Sequence, residues 1–230
     1  MIGPHRNQPV RAAGAPLDQA RALVLLVHGR GATADSILAL AGELDRRQSG
    51  PRQSGPGGVA YLAPQAGGFT WYPQSFLAPI EQNEPGLSSG LMALEAVLAD
   101  ADRAGLPSER QLLLGFSQGA CLTLEFAARN PRRYGGVVGF TGGLVGPEGT
   151  SRDYPGSLAG TPVFLGSSDP DPHVPWNRVE ETAGVLERMG AAVTLRRYPG
   201  MGHTIHREEI EAARGMLDAV IDGMRRPSHA

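Results

Sequence analysis

Residues 111–130 read QLLLGFSQGACLTLEFAARN. A short apolar run of strand type, Gln111–Gly115, leads directly into Ser117, and the helix-like run ACLTLEFAARN leaves directly after Gly119. No loop separates the two, so Ser117 is expected on a sharp, strained strand-to-helix turn. A side chain at position 115 or 119 would collide with the neighbouring strand or helix, which accounts for glycine at both places. Such a turn lifts the serine Oγ above the carboxyl end of a sheet. It also puts the Gln118 backbone N–H at a helix N-terminus, where it faces any anionic oxygen bound there.

The same G-x-S-x-G spacing recurs at GLSSG, residues 86–90. A chain this rich in glycine is expected to contain on the order of a quarter of an accidental match, so context has to separate the two. Ser88 follows Asn83-Glu84-Pro85, a loop signal, and no apolar strand precedes it. The amphipathic run LMALEAVLADA follows. Serine just ahead of such a run is the ordinary helix N-cap, and Ser88–Ser89 are assigned that role.

Outward from Ser117, further apolar runs read as buried strands: Ala22–Val27, Val59–Ala63, Gly136–Phe140, Pro162–Gly166 and Val193–Tyr198. Helical spacing follows Ser88 (Leu91, Leu94, Glu95, Leu98) and spans Val179–Met189 and Glu208–Met224. Strands alternating with helices predict a mostly parallel sheet covered on both faces. A single α/β domain over residues 1–230 is expected. Residues 1–20 would form an outer hairpin or strand, and 46–58 (RRQSGPRQSGPGG) a flexible surface loop.

The composition narrows the function classes. Of 230 residues, 41% are apolar and 19% charged, and the net charge is −2, which suits a globular protein without the basic footprint of a nucleic-acid binder. Cys121 has no second cysteine to pair with. It reads as a small core residue rather than a reactive thiol. No cysteine–histidine spacing fits a structural zinc. No apolar run approaches a membrane span, and MIGPHRNQPV lacks the apolar core of a signal peptide. The expected location is the cytoplasm, with no metal, cofactor or nucleic acid. The oligomeric state is left open.

A serine hydroxyl is a poor nucleophile without a base. Of six histidines, His5 and His229 fall in chain ends expected to be flexible, and His173 in a proline-rich loop. His203, in YPGMGHTIH between the last predicted strand and the last helix, sits where sites in open α/β sheets gather. His206 is assigned to the surface. His28, in HGRGA, is read as organising its loop by hydrogen bonding, while its neighbouring glycines let the Arg30 backbone N–H approach a bound oxygen. With Gln118 it would complete an oxyanion hole. The acid that orients His203 should follow a strand between Ser117 and His203. The segment PVFLGSSDPDPHVP, residues 162–175, offers Asp169 and Asp171.

Taken together, HGRGA (28–32), APQA (63–66), FTWYP with Trp71, GFSQGA (115–120), DPHVP (171–175) and GMGHTI (200–205) resemble the phospholipase/carboxylesterase family of α/β hydrolases, which includes acyl-protein thioesterases and small bacterial carboxylesterases. The resemblance runs from about Leu23 to Asp222. It implies the α/β-hydrolase fold, a serine esterase without cofactor, and an oxyanion hole from the Arg30 and Gln118 N–H groups.

The chain departs from the family pattern in two places. Arg30 stands where the family often has an apolar residue, and its side chain is left between solvent, an acidic neighbour and a substrate anion. The aspartate loop is two residues longer than the family's G-x-x-D-P-x-V-P. Counting from Gly166 selects Asp169, and counting back from Val174-Pro175 selects Asp171. Asp171 is preferred because DPHVP keeps the turn.

The expected reaction is hydrolysis of small carboxylic esters, with lysophospholipids and acyl thioesters as further candidates, through Ser117, His203 and Asp171. Trp71, with Tyr72 and Phe76, is a candidate lining of the substrate pocket. A catalytically silent binding protein, or an acyltransferase or peptidase on the same fold, are the alternatives.

Overall fold

The computed structural model describes residues 3–44 and 58–223. Seven strands form one sheet: β1 (Val10–Gly14), β2 (Ala22–Val27), β3 (Val59–Pro64), β4 (Gln111–Phe116), β5 (Gly136–Phe140), β6 (Pro162–Asp169) and β7 (Ala192–Pro199). Their order is β1-β3-β2-β4-β5-β6-β7. β1 runs antiparallel to β3, and every other pairing is parallel. The mostly parallel sheet expected from the apolar runs is therefore what the chain builds, with the N-terminal segment supplying an outer strand; β7, expected to be buried, is instead an edge strand with no buried residue. Of the segment expected as a flexible loop, 46–57 lies outside the described residues, as does His229.

β2 shows why these strands read as continuous apolar runs. All six of its residues are fully buried. Leu23, Leu25 and Val27 face one core, and Ala22, Val24 and Leu26 face the other. The period-two alternation thus divides one apolar strand between two helical layers. α3 (Gly86–Arg103), α4 (Gln118–Arg129) and α5 (Trp176–Arg188) supply Leu94, Leu98, Leu124 and Leu186 to the first core. α1 (Ala34–Leu38), α2 (Leu40–Leu44) and α6 (Arg207–Asp222) supply Ile37, Leu44, Leu217 and Ile221 to the second.

α1 and α2 have too few turns to show a period in sequence. α1 is marked by a capping box instead: the Thr33 side chain accepts the Ser36 N–H, and the Ser36 hydroxyl accepts the Thr33 N–H.

The N-cap assigned to Ser88 is corrected. α3 begins at Gly86 behind Pro85, so Ser88 and Ser89 lie inside its first turn. Glu84, just upstream, accepts both the Ser88 N–H and its hydroxyl, and a carboxylate there also suits the positive end of the helix dipole. Gly86 packs against the Trp71–Tyr72 backbone, where a Cβ would meet the Trp71 carbonyl at 2.8 Å. Close helix packing thus accounts for a glycine in the second G-x-S-x-G.

The first G-x-S-x-G has a different origin. A Cβ on Gly119 would sit 2.1 Å from the Val27 carbonyl oxygen, and one on Gly115 would sit 2.3 Å from the Gly119 carbonyl oxygen. β4, the start of α4 and the end of β2 therefore touch through backbone atoms alone. Ser117 between them is forced to φ 55°, ψ −120°, a conformation costing about 1–3 kcal/mol for a residue with a side chain. Its N–H donates to the Phe140 carbonyl (2.9 Å) and its carbonyl accepts the Cys121 N–H (3.0 Å), so sheet and helix both fix it.

Gly119→Ala is expected to overpack this contact and cost about 2–3 kcal/mol, lowering Tm by roughly 5–10 °C. Ala120→Gly, one position on, removes a methyl without clash and should not match it. Equal Tm values for wild type and Gly119→Ala in thermal denaturation would rule out the backbone contact as the reason for glycine.

Candidate active site

Each of the parallel strands β2, β3, β4, β6 and β7 delivers a motif at its carboxyl end, the edge where crevices form in open α/β sheets. Ser117 follows β4. Asp171 and His173 follow β6, and His203 lies in the turn between β7 and α6. Residues 86 positions apart in sequence meet here: Ser117 Oγ lies 2.9 Å from His203 Nε2. On the other side of the ring, His203 Nδ1 lies 2.8 Å from Asp171 Oδ2.

The two aspartates have different partners. Asp171 reaches His203, whereas Asp169 ends β6 and pairs with Arg197 on the neighbouring strand. The Asp171 side chain is fully buried. Burial by itself would raise its carboxyl. The donors around it outweigh that: His203 Nδ1–H and the Ser168 hydroxyl (2.7 Å) on Oδ2, and the His173 and Val174 N–H groups (2.8 and 2.9 Å) on Oδ1. The net effect holds the carboxyl below its ordinary value. The two N–H donors are supplied by the DPHVP turn.

An ionised carboxylate can only accept, so the imidazole carries its proton on Nδ1 and presents a bare Nε2 to the serine hydroxyl. The arrangement is a hydroxyl, an imidazole and a carboxylate in hydrogen-bonded series, the group types that a nucleophile, a base and an orienting acid require.

The Gln118 backbone N–H stands at the first position of α4, where a helix has no acceptor of its own for it. The Arg30 backbone N–H finds no acceptor among the described residues. Gly31, at φ 75°, turns the loop after β2 and donates to the Phe69 carbonyl at 2.8 Å.

His28 organises its loop, as its position suggested. It is fully buried, and Nε2 accepts the Ala66 N–H at 3.1 Å. Burial lowers its pKa. His5 departs from its expected place in a flexible end. It is buried, donates from Nε2 to the Trp71 carbonyl (2.9 Å) and accepts the Gly67 N–H at Nδ1 (2.9 Å). Burial lowers its pKa as well. Nothing in the local sequence around His5 points to a partner more than sixty residues away.

A cavity of about 660 Å³ opens over Ser117 and His203. Trp71 does not line it. The indole is completely buried, donates to the His28 carbonyl at 2.8 Å and packs between the His5 and His28 rings. The next residue, Tyr72, is the one that lines the cavity, together with Phe76, Leu77, Phe116, Cys121 and Val174. His173 was set aside in sequence, yet it lines the same cavity and packs edge-on against His203, ring centroids 4.8 Å apart. Cys121 is buried, and burial pushes its thiol up to about 11, so it stays protonated and acts as wall.

His206 is the N-cap of α6, with Nδ1 accepting the Glu208 N–H and its own N–H held by Glu209 Oε2 at 2.6 Å. This anchors the turn carrying His203. The cost lies in Glu209, which is fully buried with no hydrogen-bond partner on Oε1 among the described residues. Burial pushes its carboxyl up to about 7, against the opposing pull of the His206 N–H.

The profile of the Phospholipase/Carboxylesterase family matches residues 10–221. A phospholipase/carboxylesterase structure from Dyadobacter fermentans is 42% identical, with a TM-score of 0.83, covering 92% of this chain and 96% of that one. The likeness carries the α/β-hydrolase fold. Acyl-protein thioesterase 1 of Debaryomyces hansenii is 27% identical over 61% of this chain and 62% of its own length. A probable carboxylesterase of Oryza sativa is 32% identical over 57% of this chain and 51% of its own. The chain thus spans about half to three fifths of the curated relatives it matches.

The unfolded chain releases the Glu209 proton near the ordinary 4.5 and the folded chain near 7. Between those values the folded state binds the extra proton, so this residue's contribution makes stability fall as pH rises across the window and level off above it. Glu209→Gln keeps an acceptor for His206 and removes the titration. Its Tm relative to wild type is expected to rise between pH 5 and pH 8. Parallel curves would show that burial of this carboxyl does not govern the pH profile.

Proposed function

This chain belongs to the phospholipase/carboxylesterase family, and on that footing we propose that it is a serine hydrolase of carboxylic esters. The observation that carries the reading is the continuous series from Ser117 Oγ through His203 to Asp171, at 2.9 and 2.8 Å. In the proposed reaction Ser117 Oγ attacks the ester carbonyl carbon while its proton passes to His203 Nε2. The imidazolium is stabilised by Asp171, which remains ionised. The carbonyl oxygen becomes an oxyanion between the Arg30 and Gln118 backbone N–H groups. A donor of this kind is worth roughly 3–4 kcal/mol in the transition state.

As the tetrahedral intermediate collapses, the bond to the leaving group breaks and His203 returns the proton to the departing oxygen or sulfur. Water, deprotonated by His203, then attacks the acyl-serine. The carboxylic acid leaves and Ser117 recovers its proton. Beyond the ester and one water, the proposed steps use only the protein's own groups.

The mostly apolar cavity wall of Tyr72, Phe76, Leu77, Phe116 and Val174 supports small acyl esters as substrates. Lysophospholipids and acyl thioesters belong to the same proposal. The unbroken Ser–His–Asp series weighs against a catalytically silent binding protein. Among the described residues no helix is long and apolar enough to cross a membrane. Action in the cytoplasm is part of the proposal, supported by a fold that needs no disulfide.

A fluorophosphonate is expected to label Ser117, and Ser117→Ala should lose both label and ester turnover. A label on Ser88 instead would transfer the nucleophile to the second motif. Rates with matched ester, thioester and amide substrates should rank the amide last, and a leading amide rate would favour the peptidase alternative. Asp171→Asn should lower kcat by about three to four orders of magnitude, because the imidazole tautomer is no longer fixed. Asp169→Asn should stay within about fivefold of wild type, as expected for a partly exposed ion pair. The reverse ranking would exchange their roles.

A further inference from the structure

Arg30 is one of the two places at which the chain departs from the family pattern, and its side chain has a distinct use. The guanidinium donates to three consecutive carbonyls: Nη2 to Tyr72 (2.9 Å) and to Gln74 (2.6 Å), and Nη1 to Pro73 (2.9 Å). These carbonyls belong to the loop after β3 that carries Tyr72 and Phe76 into the cavity wall. From the other side, Gln118 grips the same loop. Its Oε1 accepts the Trp71 N–H (2.9 Å) and the Thr70 hydroxyl (3.2 Å), and its Nε2 donates to the Tyr72 carbonyl (2.8 Å). The single Thr70 hydroxyl hydrogen is shared between Gln118 Oε1 and the Tyr72 carbonyl, whose oxygen lies 2.9 Å from Oγ1.

The two residues assigned as backbone donors to the oxyanion are thus the two whose side chains hold one wall of the cavity. The buried Asn83 completes the frame by accepting the Gln74 N–H and donating to the Ser75 carbonyl, both at 2.9 Å.

A cation on the cavity lining invites a second use, the binding of an anionic substrate group. The hydrogen bonds argue against it. A guanidinium grips a carboxylate through one of two planar forks, and each fork draws on an Nη2 hydrogen. Both Nη2 hydrogens are committed here, to Tyr72 and Gln74. Three carbonyl dipoles also meet the positive charge directly.

We propose that the Arg30 side chain is a positioning residue for the oxyanion hole: by clamping the Tyr72–Gln74 carbonyls it fixes its own backbone N–H and the acyl-pocket wall as one rigid unit. The backbone N–H of Arg30 and the guanidinium are parts of one residue, so holding the guanidinium on the wall limits rotation of the peptide that carries the N–H. An acyl group that fits the wall leaves the donor in place. One that pushes the wall outward drags the donor with it and loses transition-state binding. Acyl selectivity is thereby expressed in kcat rather than in KM. The inference rests on the serine-hydrolase reading of the same site.

The test is steady-state kinetics of Arg30→Met, Arg30→Lys and Arg30→Ala with a neutral short-chain p-nitrophenyl ester and with the hemisuccinate ester of p-nitrophenol. Arg30→Met is expected to lower kcat about 10- to 100-fold on both esters, the scale of a sub-ångström to ångström misplacement of a catalytic donor, with KM within about threefold. Arg30→Lys, which supplies a cation but no planar fork, should fall between. Millimolar methylguanidinium should restore part of the lost kcat in Arg30→Ala, an outcome that damage to folding would not give.

A loss confined to the hemisuccinate and appearing in KM would overturn the clamp and make Arg30 a substrate contact. Unchanged kcat in Arg30→Met also overturns it, and so does absence of rescue in a folded Arg30→Ala. Should Arg30→Met and Arg30→Ala not fold, kcat of Arg30→Lys decides alone. Fluorophosphonate labelling separates the two levels. An unlabelled wild type takes down the hydrolase reading and the clamp together, whereas a labelled wild type with an unaffected Arg30→Met takes down the clamp only.

Discussion

Everything at the carboxyl edge of the sheet depends on one close approach, that of the first turn of α4 to the last carbonyl of β2. With Gly119 in place, the helix starts against the Val27 oxygen, where a Cβ would lie 2.1 Å away. The distance leaves no room for a relaxed connection between β4 and α4, so Ser117 takes a positive φ and its side chain leaves the plane of the sheet. The strain is local. It is sustained by a strand paired on both sides and by a helix that is buried along most of its length. A hydroxyl held this way does not have to be ordered by a ligand, which is where rigid elements outperform loops as carriers of functional groups.

The groups that act on Ser117 are held by a second kind of device, hydrogen bonds supplied by turns. Asp171 sits in a buried position that would favour the neutral acid. Two backbone N–H groups of its own turn, a serine hydroxyl and the imidazole reverse that preference. Glu209, in the first turn of α6, illustrates the same balance with fewer donors. One N–H is not enough against complete burial, and the carboxyl titrates near 7. The number of donors, rather than burial alone, decides which carboxylate stays ionised.

The cavity wall is tied to this machinery through the loop after β3. Its polar backbone atoms are taken up by Arg30, Gln118 and Asn83, while Tyr72 and Phe76 are among the residues that line the cavity. Trp71 lies underneath as a wedge between His5 and His28.

The sequence by itself determined the parallel sheet, because buried strands are apolar on both faces and cannot be mistaken for surface elements when they alternate with amphipathic helices. It also determined Ser117 and His203 as candidates, since a strand running directly into a helix leaves one geometry for the residue between two glycines. Local pattern could not decide between Asp169 and Asp171. The extra two residues of their loop keep both a strand end and a turn in register with the same motif, and only the position of His203, in the turn after β7, puts one of them in contact with it. Nor did it separate Trp71 from Tyr72, because which of two neighbouring loop residues reaches a cavity is set by what packs around the loop. His5 on Trp71 and Gly67, the side-chain clamps of Arg30 and Gln118, and His173 beside His203 were likewise decided by the tertiary structure. Each is a contact between segments far apart along the chain, formed when the sheet brings its carboxyl ends to one edge, and no spacing within either segment records it.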